Sequence, residues 1–152
     1  MTSTKISKRI VGDRLAWVDK MVNEINTLPM ETFEAFTSDS RNVWTAESCL
    51  RRSLEALLDI GRHILAKRFS KGVSEYKEIA IELGRIKVLG EEEAQLLRRL
   101  AGYRNRLVHF YHEITTDELY RICNDDLGDL LAIRDAYLGW FKSNPDSIDQ
   151  VL

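Results

Sequence analysis

Cysteine, proline and glycine are scarce in this chain of 152 residues, which has two Cys, two Pro and eight Gly. So little punctuation excludes a many-stranded sheet as the main architecture, because each strand reversal draws on turn residues. Cys49 and Cys123 lie far apart without CxxC spacing, and each reads as a small buried residue in reducing surroundings. No segment approaches the roughly 18 apolar residues of a membrane span. Behind Met1-Thr2-Ser3-Thr4-Lys5-Ile6-Ser7-Lys8-Arg9 no long apolar run follows of the kind an export signal carries. The expectation is a cytoplasmic protein with no membrane partner. An excess of one charge is also missing: 22 Lys and Arg stand against 24 Asp and Glu, a formal net charge of -2. Any nucleic-acid partner must therefore be held by a local cluster of Lys and Arg. Gly-rich phosphate loops and nucleophile elbows are absent as well.

What is present is helical periodicity. Ile10, Val11, Leu15, Val18, Val22 and Ile25 recur at three- and four-residue steps, predicting a helix from about Ser7 to Asn26 that ends near Leu28-Pro29. One helical turn is expected before Ser40. The longest signal runs from Val43 to Phe69, through Ala46, Leu50, Leu54, Leu57, Leu58, Ile60, Ile64 and Leu65, and Ser70-Lys71-Gly72 breaks it. A third helix spans about Ser74 to Val88 and is stopped by Gly90. Glu91-Glu92-Glu93 opens a fourth, where free amides and the positive end of the helix dipole favour carboxylates; it continues to about Phe110. Thr115 and Glu118 stand at capping-box spacing before a fifth helix reaching about Lys142. Ser143-Asn144-Pro145 ends it, leaving a loose tail or docking arm. The expectation is one all-α domain over 1-152, an antiparallel bundle of four to five helices with its core at about 8-142 and a tail at 143-152.

On a wheel of about 100° per residue with Leu100 at zero, Leu96, Leu97, Tyr103, Leu107 and Val108 fall within about 80° of it and face the core. Arg98, Gly102, Asn105 and His109 fall together at roughly 140 to 200°. Such a face is ordinarily wet. Gly102 complicates that, because a mid-helix glycine costs about 1 kcal/mol relative to alanine: it marks either a tolerated cost or a close approach by a ligand or another backbone, such as the same helix of a second subunit. Arg104, at about 40°, packs its stem in the apolar arc and sends its head either to an internal carboxylate or to a phosphate.

These residue types suit metal-free RNA cleavage. A neutral imidazole takes the proton of a 2′-hydroxyl, an imidazolium protonates the leaving 5′-oxygen, and a guanidinium steadies the charge on phosphorus. One Arg and one His per subunit are half a site, and a two-fold dimer supplies the other half. His63, with Asp59 four residues before it, reads as a surface pair or a satisfied histidine. His109, His112 and Glu113 lack an obvious further ligand for zinc, so no metal or cofactor is assigned. Lys67, Arg68 and Lys71 are the expected basic cluster for RNA.

The run Arg104-Asn105-Arg106-Leu107-Val108-His109-Phe110-Tyr111 resembles the R-x-x-x-x-H-x-Y signature of the HepT branch of HEPN proteins. Its matching positions are Arg104, His109 and Tyr111, with the common Asn at 105. Ala101-Gly102-Tyr103 before it, the helix reading Leu54 to Leu65, and five helices in a chain of this size carry the same resemblance over roughly Lys8 to Lys142. The resemblance implies a HEPN-like helical bundle that dimerises and joins two Arg-His motifs into a metal-independent endoribonuclease, the toxin of a toxin-antitoxin pair. Arg104 and His109 are then catalytic, and Asn105 orients or contacts phosphate. The antitoxin partner is a nucleotidyltransferase, MntA, which moves AMP from ATP to the signature tyrosine, here Tyr111; the added charge and bulk oppose RNA binding. The alternative is a HEPN-type module without catalysis that serves as a binding partner for a nucleotidyltransferase.

Overall fold

The computed structural model describes residues 5–109 and 114–149, the side chain of His109 excepted. Seven α-helices and one short 3-10 turn form the described part: α1 (Lys8–Asn26), α2 (Phe33–Thr37), α3 (Ser40–Phe69), α4 (Tyr76–Arg85), α5 (Glu91–His109), α6 (Thr116–Asp125), α7 (Leu127–Ser143) and the turn Pro145–Ser147. The fold is all-α, as the periodicity predicts. Among the described residues the one β contact is a bridge between Ile6 and Ile148.

Local chemistry sets the helix ends. The hydroxyls of Ser7, Thr32 and Thr115 accept from backbone amides three residues on, and the Asp39 carboxylate accepts from the amide of Arg41. Each occupies the N-cap, where a short oxygen-bearing side chain satisfies an orphan donor. At the other end of α3 the reversal falls on Ser70 itself, in the left-handed region with φ 55°, and not on Gly72. Thr115 caps α6 as its spacing predicts, but Glu118 does not close the box, because both its oxygens are engaged by Arg106 at 2.6 and 2.8 Å.

The predicted fifth helix is in fact two. α6 ends at Asp125 and α7 begins at Leu127, with Asp126 between them at φ -110° and ψ 2°. Asn124-Asp125-Asp126 is a run of poor helix formers whose side chains compete for backbone groups. Asp126 Oδ2 is also drawn away by Arg121 at 3.2 Å and the Tyr103 hydroxyl at 3.5 Å.

α3 is the central element. α1 lies along one side of it, the α4–α5 hairpin along another, and α6 and α7 complete the enclosure. Leu50, Leu54, Leu57, Leu58, Ile60, Ile64 and Leu65 of α3 are fully or almost fully buried, which is why its apolar stripe is broad. Tyr137 of α7 is buried beside them, and its hydroxyl donates to the Leu57 carbonyl at 2.9 Å. Gly61 permits this: a Cβ there would stand 2.7 Å from Leu83 Cδ1 and 2.9 Å from the Tyr137 oxygen. Both cysteines are free thiols in the interior, and burial pushes Cys123 up to about 12.

On α5, Leu97, Leu100 and Ala101 are buried, and Leu96, Tyr103 and Leu107 pack against the core. Val108 departs from the wheel. It is exposed although its angle sets it on the apolar arc, one residue before the last described residue of α5. The tail is a docked arm as far as Asp149. Ile6 N–H donates to the Ser147 carbonyl at 2.8 Å and Asp149 N–H to the Ile6 carbonyl at 2.9 Å, burying Ile6 completely.

Candidate active site

Arg104 leaves α5 toward α3. Its Nε and Nη2 both donate to Glu55 Oε2, at 3.2 and 3.0 Å, and its guanidinium carbon lies 4.4 Å from the centroid of the Tyr76 ring. The side chain is 16% exposed, so solvent screens this pairing only in part. Of the two destinations open to Arg104, the internal carboxylate is the one occupied. Glu55 is itself shared, since its Oε1 accepts from Arg51 one turn earlier at 2.7 Å.

Asn105 is about 100° away from Arg104 on the wheel, yet the two meet, with Arg104 Nη1 3.5 Å from Asn105 Oδ1. Both line a cavity of about 480 Å³ together with Arg62, Ser74, Tyr76, Lys77 and one carboxylate, Glu75. Arg62 reaches it from α3. Its guanidinium carbon is 5.0 Å from the same Tyr76 ring, Nη2 donates to the Ser74 carbonyl at 3.1 Å, and Nη1 meets Asp59 at 3.4 Å. Arg62 Nε is buried with no hydrogen-bond partner, an uncompensated donor of the kind that favours an incoming acceptor nearby. Burial raises the Asp59 carboxyl above its ordinary value, against the lowering influence of Arg62 and Arg14.

Among the predicted site residues, the structure thus brings Arg104 and Asn105 to one cavity. His109 is the last residue of α5, on the turn after Asn105, while its side chain and the whole of Tyr111 lie outside the described residues. His112 and Glu113 lie there as well. Arg106 points the other way and ties α5 to the first turn of α6 through Glu118, whose carboxyl is lowered chiefly by that hydrogen bond.

His63 is a satisfied histidine, not a partner of Asp59. Its Nε2 accepts from the Ser7 amide at 2.9 Å and so buttresses the start of α1; Asp59 turns to Arg62 instead. Lys67 and Arg68 sit at the far end of α3, twelve and thirteen residues beyond Glu55, roughly 18 Å along the helix. Lys71, just past that end, pairs with Glu82 at 3.7 Å, and the Arg68 guanidinium lies 5.6 Å from the Phe69 ring. Arg62, Glu75, Tyr76 and Lys77 of the cavity wall, and Glu55 behind Arg104, are residues that sequence reasoning did not single out. Only the Arg51-Glu55 spacing was visible in the sequence, since contacts between α3, α4 and α5 leave no local trace.

Comparison with known proteins fits this geometry. The family model described as Ribonuclease HepT-like matches residues 18–136, a stretch that contains α3, α4, α5 and every cavity residue. A tRNA nuclease HepT of Aphanizomenon flos-aquae (strain 2012/KM1/D3) is 28% identical over 117 residues, covering 77% of this chain and 80% of that protein. Two solved structures share the fold. A tri-AMPylated Shewanella oneidensis HEPN toxin in complex with MNT antitoxin gives a TM-score of 0.77 at 20% identity, covering 86% of this chain and 97% of that one. The cytosolic protein YutE from Bacillus subtilis, of unknown function, gives 0.77 at 17% identity, covering 95% and 98%. With the family model spanning the bundle and the Arg104 cavity alike, the chain belongs to the ribonuclease HepT-like family.

Proposed function

We propose that the chain is the toxin of a toxin-antitoxin pair, a metal-independent endoribonuclease whose site is completed when two copies meet. Arg104 binds the scissile phosphate and Asn105 orients it. His109 takes the proton from the 2′-hydroxyl, the resulting alkoxide attacks phosphorus, and the partner subunit's His109 gives a proton to the departing 5′-oxygen. The products are a 2′,3′-cyclic phosphate and a 5′-hydroxyl, so atoms and protons balance without added water. The observation that carries this reading is the position of Arg104 and Asn105 on one cavity wall, five and four residues before His109 on the same helix, in a chain similar to a tRNA nuclease.

Tyr111 follows two residues after His109, and we assign it as the residue to which a nucleotidyltransferase antitoxin of the MntA type transfers AMP. The similar Shewanella oneidensis toxin is AMPylated and in complex with MNT antitoxin. An adenylate there sets negative charge and bulk beside the phosphate site and repels RNA.

The deciding experiment incubates the purified chain with tRNA in EDTA. Cleavage to cyclic-phosphate ends that disappears in His109→Ala, with the dimer retained by light scattering, supports the enzyme. A chain that binds the antitoxin and leaves RNA intact is the non-catalytic module instead. Intact-mass analysis after incubation with the antitoxin and ATP counts the adenylates and peptide mapping locates them; adenylate on any residue other than Tyr111 overturns that assignment.

A further inference from the structure

A second concavity, of about 430 Å³, lies on the α4–α5 hairpin beside the Arg104 cavity. Lys77, Arg98, Arg99 and Arg106 line it with Gln95 and Gly102, and no carboxylate does. Lys77 lines both concavities, so the two form one strip leading to Arg104 and Asn105. Among the described residues Lys77, Arg98 and Arg99 have no ion pair, whereas Arg106 is held by Glu118. In a chain of net charge -2, a groove lined by three such cations and by no carboxylate is a local inversion of the overall field.

Gly102 is the second, independent observation. A Cβ at this position would meet only Lys77 Cε, at an ordinary 3.7 Å, so the chain's own packing does not require glycine in the middle of α5. Gly102 lines the groove among the cations, where any side chain would add bulk to its floor. A second copy packed on itself through this patch would set its cations against one another, because a two-fold contact pairs a surface with itself; a polyanion meets no such repulsion.

We infer that the groove over Gly102, walled by Lys77, Arg98 and Arg99, is the track for the phosphodiester backbone of single-stranded RNA flanking the cleaved linkage. It deepens the proposed function and rests on that reading for what happens at the groove's end. Binding here is electrostatic and independent of base sequence.

The test uses the full chain and a fluorescent 2′-O-methyl oligouridylate, which lacks the attacking hydroxyl and stays uncut. Its dissociation constant is measured across a salt series for Lys77→Gln, Arg98→Gln, Arg99→Gln, their combination, and Lys20→Gln on α1 as control. Each groove substitution is expected to weaken binding severalfold and to lower the slope of log Kd against log salt by about 0.7, the single-strand value per phosphate contact. Lys20→Gln leaves both unchanged. Gly102→Ala is expected to weaken binding without lowering Tm. A combined variant with wild-type affinity and slope overturns the inference, as does a Gly102→Ala chain that dissociates as a dimer while keeping its RNA affinity. Cleavage of tRNA is followed in parallel. Cleavage with an unchanged slope removes the groove and leaves the ribonuclease; a lowered slope without wild-type cleavage keeps the groove and removes the ribonuclease.

Discussion

Arg104 places two nitrogens on a single oxygen of Glu55, at 3.2 and 3.0 Å, across 49 residues of sequence. The proposed phosphate-binding group is thus held by an internal carboxylate. A phosphate entering the cavity competes for the same donors, so the ion pair orients the guanidinium without consuming all of it: Nη1 faces Asn105 at the longer distance of 3.5 Å. Removing either partner leaves a partly buried charge uncompensated. A double-mutant cycle with Glu55→Ala and Arg104→Ala in urea is expected to return a coupling of about 1–2 kcal/mol. A coupling near zero would show that the pair does not fix Arg104.

The glycines of the bundle predict opposite outcomes for one kind of substitution. At Gly61 a methyl group would collide with Leu83, Ile79 and the Tyr137 hydroxyl, all within 3 Å, so Gly61→Ala is expected to destabilise by about 1–3 kcal/mol through overpacking. At Gly102 the methyl group has room, and Gly102→Ala is expected to stabilise by up to about 1 kcal/mol from helix propensity. Urea unfolding of the two variants checks both signs.

His63 gives a pH dependence with a definite sign. Its Nε2 accepts a hydrogen bond from the Ser7 amide, which only the neutral ring can do. Burial first, then the nearby Lys67 charge, lowers its pKa from the ordinary 6.5, against the raising influence of Asp149. A depressed histidine contributes stability that is fully present above its unfolded value of 6.5 and is lost as pH falls below it toward the folded value, where the unfolded chain binds the proton more readily. Wild-type Tm is therefore expected to fall through this window more steeply than that of His63→Asn. Parallel curves would mean that the Ser7 contact does not couple to protonation.

Much of this architecture is legible in the sequence because it is local. The stripes of α1, α3, α4 and α5 announce their buried faces, and Ser7, Thr115 and the Glu91–Glu93 run mark helix starts by chemistry that acts within one turn. The α6–α7 break is hidden because Leu119, Ile122, Leu127 and Leu130 keep an apolar stripe running through it; the run Asn124-Asp125-Asp126 is its local signal, and the contacts of Asp126 with Arg121 and Tyr103 add to it from other turns. Around Arg104 the division is sharper. The helix wheel sets Arg104 and Asn105 on different faces, and only the length of the guanidinium stem brings them together. Glu55 and Tyr76 come from elements that no spacing rule links to α5.

Tyr76 supplies the remaining prediction. Its ring carries the guanidinium of Arg104 at 4.4 Å and that of Arg62 at 5.0 Å, so it acts as a shelf that orients two cations by their attraction to the π-face. Such a contact contributes about 0.5–2 kcal/mol, more where water is excluded, and 1.4 kcal/mol is a factor of about ten in rate. Tyr76→Phe keeps the face and loses the hydroxyl; Tyr76→Leu keeps apolar bulk and loses the face. As a positioning residue, Tyr76 is expected to show its effect in kcat: near wild type for the phenylalanine variant, down about tenfold for the leucine variant, with both chains folded by circular dichroism. Wild-type kcat in both variants would show that the aromatic face does not position Arg104, and an equal loss in both would assign the effect to the hydroxyl.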